Sequence, residues 1–254
     1  MRPFAPDFLA AEVRVSPNFG ERRGNARIDT VVLHYTGMAS GAAAQAWLCN
    51  PESQVSSHYI VHEDGRVVQM VREADRAWHA GKSFWAGVTD INSCSVGIEI
   101  VNRGHDFGYE DFPDVQVESV ISLCRDIVTR HNIPAPRVLA HSDVAPGRKI
   151  DPGERFPWGR LADADVGHWV RPVPADEAPG FCEGDSGEAV KSLQTQLFRY
   201  GYGVETDGTF GERTRIVVEA FQRHFRPERV DGVADRSTVE TLSRLLAALP
   251  DATS

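Results

Sequence analysis

Cysteine is scarce and scattered in this 254-residue chain: Cys49, Cys94, Cys124 and Cys182 form no C-x-x-C pair. That spacing argues against a disulfide framework and against a thiolate zinc site, and the four are read as buried free thiols. A basic excess is also missing. Lys and Arg total 27 against 36 Asp and Glu, for a formal net charge of −9. Such a field repels polyanions, and no basic patch interleaved with aromatics offsets it, so nucleic acid is not expected as a partner. No apolar run approaches the ~18 residues of a membrane span. The opening MRPFAPDFLAAEVRV has an Arg followed by two prolines and an Asp, with no apolar h-region. It lacks a signal peptide's shape, so a cytoplasmic location is the expectation, with the periplasm or cell envelope as the alternative if a leader has been removed. What is present is ordinary globular composition, 41% hydrophobic and 25% charged, enough for one large domain or two smaller ones.

The organisation changes along the chain. Val166–Gly187, VGHWVRPVPADEAPGFCEGDSG, carries three prolines and few periodic apolar positions, and reads as a linker. The expected division is a first domain over 1–172, a linker over 173–182 and a second domain over 183–250. In the first, TVVLHYT (Thr30–Thr36) and SVGIEIV (Ser95–Val101) are β-branched runs, and SSHYIVHEDGRVVQMV (Ser56–Val71) has two β-rich halves around an Asp64-Gly65 hairpin signal. PDVQVESVISLCRDIVTRHNI (Pro113–Ile133) is helical, with Val117, Val120, Ile121, Cys124, Ile127 and Val128 on one stripe. Strands mixed with helices imply an α/β domain, a sheet covered by helices. After the linker, Val190, Leu193 and Leu197 share a helical face, and DGTFGERTRIVVEAFQ (207–222) aligns with DGVADRSTVETLSRLL (231–246) at an offset of 24. Each copy is a D-G turn feeding a helix, so this region reads as a small three-helix module with a binding rather than a catalytic role.

The chemistry concentrates in the first domain. His34 ends the strand TVVLHYT, sharing a face with Val32, and is either a hydrogen-bonded structural histidine or a ligand presented at a strand end. Glu99 lies within SVGIEIV on the face of Gly97 and Val101. A carboxylate in an apolar strand is costly unless it meets solvent on an edge strand or lines a cleft, where burial raises its pKa and makes it a usable proton shuttle. The loop AHSDVAPGRKIDPG (Ala140–Gly153) is too charged and too rich in breakers for a core element. His141 and Asp151 are donors that zinc accepts, and with His34 they would leave a fourth position for water, the pattern of a catalytic site. Lys149, two residues before Asp151, could stabilise an oxyanion. Asp143 reads as a turn-former. With nine histidines in the chain, chance combinations are plentiful, and spacing alone leaves this open.

The chain resembles the zinc-dependent N-acetylmuramoyl-L-alanine amidases of the type-2 amidase family, which is related to the peptidoglycan recognition proteins. The resemblance rests on VVLHYTG, SSHYIVHEDGRVVQMV, AWHAG (Ala77–Gly81), SVGIEIVN and AHSDVAPGRKIDPG followed by FPW (Phe156–Trp158), in the family's order over residues 25–160. The region after the linker is similar to the three-helix peptidoglycan-binding domain of wall hydrolases. The resemblance implies a central mixed sheet flanked by helices and one zinc ion held by His34, His141 and Asp151. It implies Glu99 as general base and Lys149 as the group facing the tetrahedral intermediate. It sets His79 near the substrate cleft, with Tyr35 and Asn102 as further substrate contacts, and leaves His58 and His62 as structural. Aspartate rather than cysteine at the third ligand position brings the chain nearer to the bacterial recycling and envelope amidases.

The implied reaction is zinc-assisted hydrolysis of the amide between N-acetylmuramic acid and L-alanine, on intact wall or on soluble 1,6-anhydromuropeptides. A non-catalytic wall-binding or sensing protein is the rival from another class, and a zinc peptidase acting within the stem peptide is a second.

Overall fold

The computed structural model describes residues 4–175 and 177–249. Residues 1–3, position 176 of the expected linker and residues 250–254, which include the last position of the expected second domain, lie outside the described residues. In chain order the elements are β1 (Glu12–Val13), β2 (Phe19–Gly20), β3 (Thr30–Tyr35), α1 (Gly41–Leu48), β4 (Tyr59–Val61), β5 (Val67–Gln69), β6 (Arg76–Ala77), α2 (Ile91–Cys94), β7 (Ser95–Ile100), α3 (Asp114–His131), β8 (Val138–Ala140), α4 (His141–Val144), α5 (Trp158–Ala162), α6 (Glu188–Tyr200), α7 (Glu212–Phe225) and α8 (Arg236–Ala247).

Six strands form one mixed sheet in the order β1-β5-β4-β7-β3-β8, and β2 and β6 form a separate antiparallel pair. β4, β7, β3 and β8 run parallel to one another. β4 and β5 are the antiparallel hairpin signalled by Asp64-Gly65, and Gly65 takes the left-handed φ of 84° that the turn requires. The central strands are covered on both faces, which is why their sequences read as apolar runs rather than strict alternation. On one face Val31, Leu33, Val96, Ile98 and Ile100 meet α3 through Val117, Val120, Leu123, Cys124 and Ile127. Ile121 and Val128 lie at the margin of the helix stripe and are only partly buried. On the other face Ile60, Val68, Met70 and Val101 pack on Ala44 and Leu48 of α1.

The rest of that second face faces α6, α7 and α8. Val32 and Leu139 belong to one apolar core with Leu193, Leu197, Val217, Phe221, Leu242 and Leu245. The expected three-helix module is therefore present, and its core is continuous with the sheet's. The internal repeat is a repeat of wiring. Gln194 reaches Asp207 Oδ1, the Thr209 carbonyl and Thr214 Oγ1, and Gln222 reaches Asp231 Oδ1, the Val233 carbonyl and Thr238 Oγ1. Each amide ties a D-G turn to the helix that follows it.

The expected linker has no helix among its described residues, yet it is pinned to the module. Val173 N–H donates to Thr241 Oγ1, Ser237 Oγ donates to the Val173 carbonyl, and Phe181 forms a β-bridge with Ala234. All four cysteines are free, but they are not all buried: Cys94 and Cys124 are, Cys49 is half-buried and Cys182 is exposed. Cys182 follows the bridge residue Phe181 in irregular chain ahead of α6, where no apolar face covers it.

Candidate active site

Parallel strands bring their C-terminal ends to one edge, and that edge is where open α/β sheets build sites. Here β3, β7 and β8 end together. Their register sets His34 directly beside Glu99, and Leu33 beside Ala140, so that His141 begins α4 next to the end of β3. The loop beyond α4 returns Asp151 to the same point, held by a hydrogen bond from Ser142 N–H to the Asp151 carbonyl, 3.0 Å. His34 Nδ1, His141 Nδ1 and Asp151 Oδ2 form a triangle with sides of 2.8, 2.9 and 3.0 Å. All three residues are buried.

The protons in this cluster follow from its outer partners. Ser95 Oγ lies 2.6 Å from the Ile91 carbonyl, which can only accept, so the hydroxyl donates there and accepts from His79 Nε2–H at 3.1 Å. A neutral His79 then presents a bare Nδ1, which accepts from His34 Nε2–H at 3.0 Å. His34 Nδ1 is left without a proton. His141 Nε2 lies 3.2 Å from the Ala80 carbonyl and 3.4 Å from Arg148 Nη2, contacts that turn its Nδ1 toward His34 and Asp151. Burial, with His141 adding to the push, holds the His34 imidazole down to about 4, and burial with neighbouring histidines holds His79 well below the usual range.

His34 Nδ1, His141 Nδ1 and Asp151 Oδ2 crowd within 3.0 Å of one another, an arrangement that a cation bound among them would satisfy. Two imidazole nitrogens and one carboxylate oxygen suit zinc, and their outer hydrogen bonds orient them for it. Among the described residues this is the one cluster of its kind.

Glu99 is half-buried, and its Oε2 is buried with no hydrogen-bond partner. Burial pushes its carboxyl well above the ordinary range, Asp151 adds to this, and Lys149 opposes it. Both line a groove of about 580 Å³ together with His34, Tyr35, His79, His141 and Asp151. Trp47, Leu48, Val55 and Trp78 form its apolar side. Gly97 is needed on the strand face shared with Glu99, since a Cβ there would lie 2.4 Å from the His79 ring.

Tyr35 reaches His105 Nδ1 at 3.0 Å on the groove's rim. His79 lines the groove while both its ring nitrogens are engaged within the protein, so it orients His34. Asn102 lies in the loop that follows β7. It is buried, its Nδ2 donates to the Glu110 carbonyl and its Oδ1 accepts from Gly104 N–H, so it shapes the 102–110 loop. His58 accepts from Gly97 N–H through Nδ1, and His62 Nε2 pairs with Gln45, both away from the triangle. Asp143 does accept from Ala140 N–H as a turn-former would, but it is also fully buried against the helical module.

Two contributors escaped the sequence reading. Ser95 stands at a two-residue step from Gly97 and Glu99 on one strand face, a period that could have revealed it. Arg148 donates to the Ala80 and Lys82 carbonyls, fastening the AWHAG segment to the Ala140–Gly153 loop. No local pattern announces that contact.

A cluster of metal-ligating side chains beside an unpartnered carboxylate, at the carboxyl edge of a mixed sheet, is an arrangement that metal-dependent hydrolases can use. Residues 24–154 match the N-acetylmuramoyl-L-alanine amidase family and residues 186–242 match a peptidoglycan binding domain. The chain is 37% identical over 235 residues to N-acetylmuramoyl-L-alanine amidase AmiD of Escherichia coli K12, covering 87% of this chain and 83% of that protein. It is 30% identical over 163 residues to 1,6-anhydro-N-acetylmuramyl-L-alanine amidase AmpD of Haemophilus influenzae, covering 57% of this chain and 86% of the relative. Among solved structures, the complex of E. coli AmiD with anhydro-N-acetylmuramic acid-L-Ala-D-gamma-Glu-L-Lys superposes with a TM-score of 0.74 at 36% identity, covering 91% of this chain and 97% of that one. AMPDH3 of Pseudomonas aeruginosa gives 0.72 at 30% identity, covering 92% and 95%. The chain belongs to the N-acetylmuramoyl-L-alanine amidase family, whose enzymes are zinc-dependent in general and cleave the amide between N-acetylmuramic acid and L-alanine.

Proposed function

We propose that this chain hydrolyses the N-acetylmuramoyl-L-alanine amide of muropeptides, 1,6-anhydromuropeptides included, with one zinc ion held by His34 Nδ1, His141 Nδ1 and Asp151 Oδ2. The observation that carries this reading is the triangle of His34 Nδ1, His141 Nδ1 and Asp151 Oδ2, with sides of 2.8 to 3.0 Å, beside the partnerless Oε2 of Glu99. Bound there, zinc supplies Lewis acidity toward the scissile carbonyl and lowers the pKa of an attacking water toward neutrality.

Glu99 takes the proton of that water as its oxygen bonds to the lactyl carbonyl carbon. Glu99 then returns the proton to the L-alanine nitrogen as the carbon–nitrogen bond breaks. A raised pKa suits a carboxyl that must both accept and release a proton near neutrality. Lys149 offers its ammonium to the carbonyl oxygen as negative charge builds on it. His79 and Ser95 keep the His34 proton on Nε2, away from the metal side. Tyr35 lies on the rim within reach of substrate. The helical module over 183–250 binds peptidoglycan.

The test incubates zinc-loaded protein with anhydro and reducing-end muropeptides side by side and weighs the products by mass spectrometry. Free muramyl sugar and an intact stem peptide are expected from the anhydro substrate. A stem peptide cut internally, or no cleavage of the anhydro substrate, overturns the reading.

A further inference from the structure

We propose that the C-terminal helical module is a positioning element of the active site: through Tyr202 and His224 it holds Asp143, and through Asp143 the one-turn helix that carries the zinc ligand His141. The inference rests on the ligand set proposed above.

α4 is four residues long, too short to hold its own shape in isolation. Its shape has to come from what touches it. Asp143 is fully buried, and a buried carboxylate needs several donors. One donor is local, Ala140 N–H to Oδ2 at 2.8 Å. The other two come from the module: Tyr202 Oη donates to Oδ1 at 2.6 Å, and His224 Nδ1 donates to Oδ2 at 2.6 Å. The His224 ring is itself fixed, stacked on Trp158 at 3.7 Å between centroids. Trp158 opens α5 on the far side of Asp151, so the module grips the chain on both sides of the metal loop.

The loop between the ligands is held in the same way. Val144 and Ala145 lie in the apolar core shared with Val217 and Phe221. Arg213 donates to the Pro146 carbonyl at 3.3 Å. A Cβ at Gly147 would lie 2.8 Å from Ile216, so the loop passes close against α7. His141, Lys149 and Asp151 all lie on a segment that has α7 against it. A module tethered only to bring wall polymer near would need none of these contacts.

The test measures zinc affinity of the full-length protein by competition with a chelator, with kcat and KM on a muropeptide alongside. Tyr202→Phe removes one hydroxyl and His224→Phe removes one donor while keeping a flat ring. Each is expected to loosen zinc by about tenfold, as loss of a ligand's outer hydrogen-bonding support does, and to lower kcat with KM nearly unchanged. His224→Asn, which keeps a donor near the Nδ1 position, recovers most of the affinity. Gln222→Ala, which weakens a turn inside the module without touching the loop, lowers the melting temperature and leaves zinc affinity alone. Wild-type affinity and kcat in folded Tyr202→Phe and His224→Phe overturn the inference. So does an equal loss of affinity in Gln222→Ala. His34→Ala separates the two readings: if it abolishes zinc binding while the module variants change nothing, the ligand set stands and the positioning role falls, and if it binds zinc as before, the ligand set itself falls.

Discussion

Two buried carboxylate clusters in the first domain make opposite use of the same side-chain types. Glu73 is surrounded by donors: Tyr59 Oη at 2.6 Å, two Arg130 nitrogens at 2.6 and 2.7 Å, and His131 Nε2 at 2.5 Å. Burial opposes its charge, yet Arg130, Tyr59 and His131 outweigh burial and bring its pKa down to about 2. The cluster at the sheet's carboxyl edge has the reverse imbalance. His34 Nδ1, His141 Nδ1 and Asp151 Oδ2 crowd together, and Glu99 Oε2 nearby has no hydrogen-bond partner. A cluster with every acceptor satisfied stabilises a fold, whereas an excess of buried acceptors marks where a cation and a reacting proton belong.

Substitutions can test that contrast, beginning with the largest effect. Glu99→Gln is expected to lower kcat by about 10²- to 10⁴-fold, with zinc content by metal analysis and the melting temperature kept, because it removes a proton acceptor rather than a structural tie. A stability loss with kcat preserved would place Glu99 in the same class as Glu73. Glu73→Gln should do the opposite. It is expected to cost about 2 kcal/mol in denaturant unfolding, discounted because Arg130 and His131 are partly exposed, with kcat of the folded enzyme unchanged.

The pH dependence of that cost has a definite sign. Glu73 titrates lower when folded than its usual 4.5, so its contribution is complete above about pH 5 and is lost as pH falls toward about 2. The stability gap between wild type and Glu73→Gln should therefore narrow across that range in melting curves, and a gap that widened in acid would contradict the assignment. The smallest effect is that of Ser95→Ala, which leaves His79 Nε2–H without its acceptor. Zinc affinity by chelator competition is expected to fall by about tenfold, with the melting temperature nearly unchanged.

Much of this site was legible in the sequence because its chemistry sits in short motifs. His34, Glu99 and the His141-to-Asp151 loop announce themselves as polar side chains where apolar or neutral ones are expected. The helical stripe of α3, the Asp64-Gly65 hairpin and the D-G repeat were legible because period and turn chemistry are local. What escaped were contacts between distant segments. Asp143 looked like a turn residue because its nearest partner, Ala140, is three positions away, while His224 and Tyr202 are 81 and 59 positions away. The ties of Asn102 to Glu110 and Gly104, which engage both ends of its amide, had no local signal either. Cys182 looked buried by residue type, but no element covers its stretch of chain.

By itself the sequence determined the kinds of donor and acceptor available, the elements that carry them and the family to which the chain belongs, since these depend on residue type, spacing and periodicity. Tertiary structure alone decided which partners orient the rings of the cluster: Ser95 behind His79, and the Ala80 carbonyl and Arg148 beside His141, all outside the strand that carries His34. It also decided that the helical module shares a core with the sheet and closes around Asp143, because burial and hydrogen-bond pairing between far-apart segments are settled only when the chain is packed.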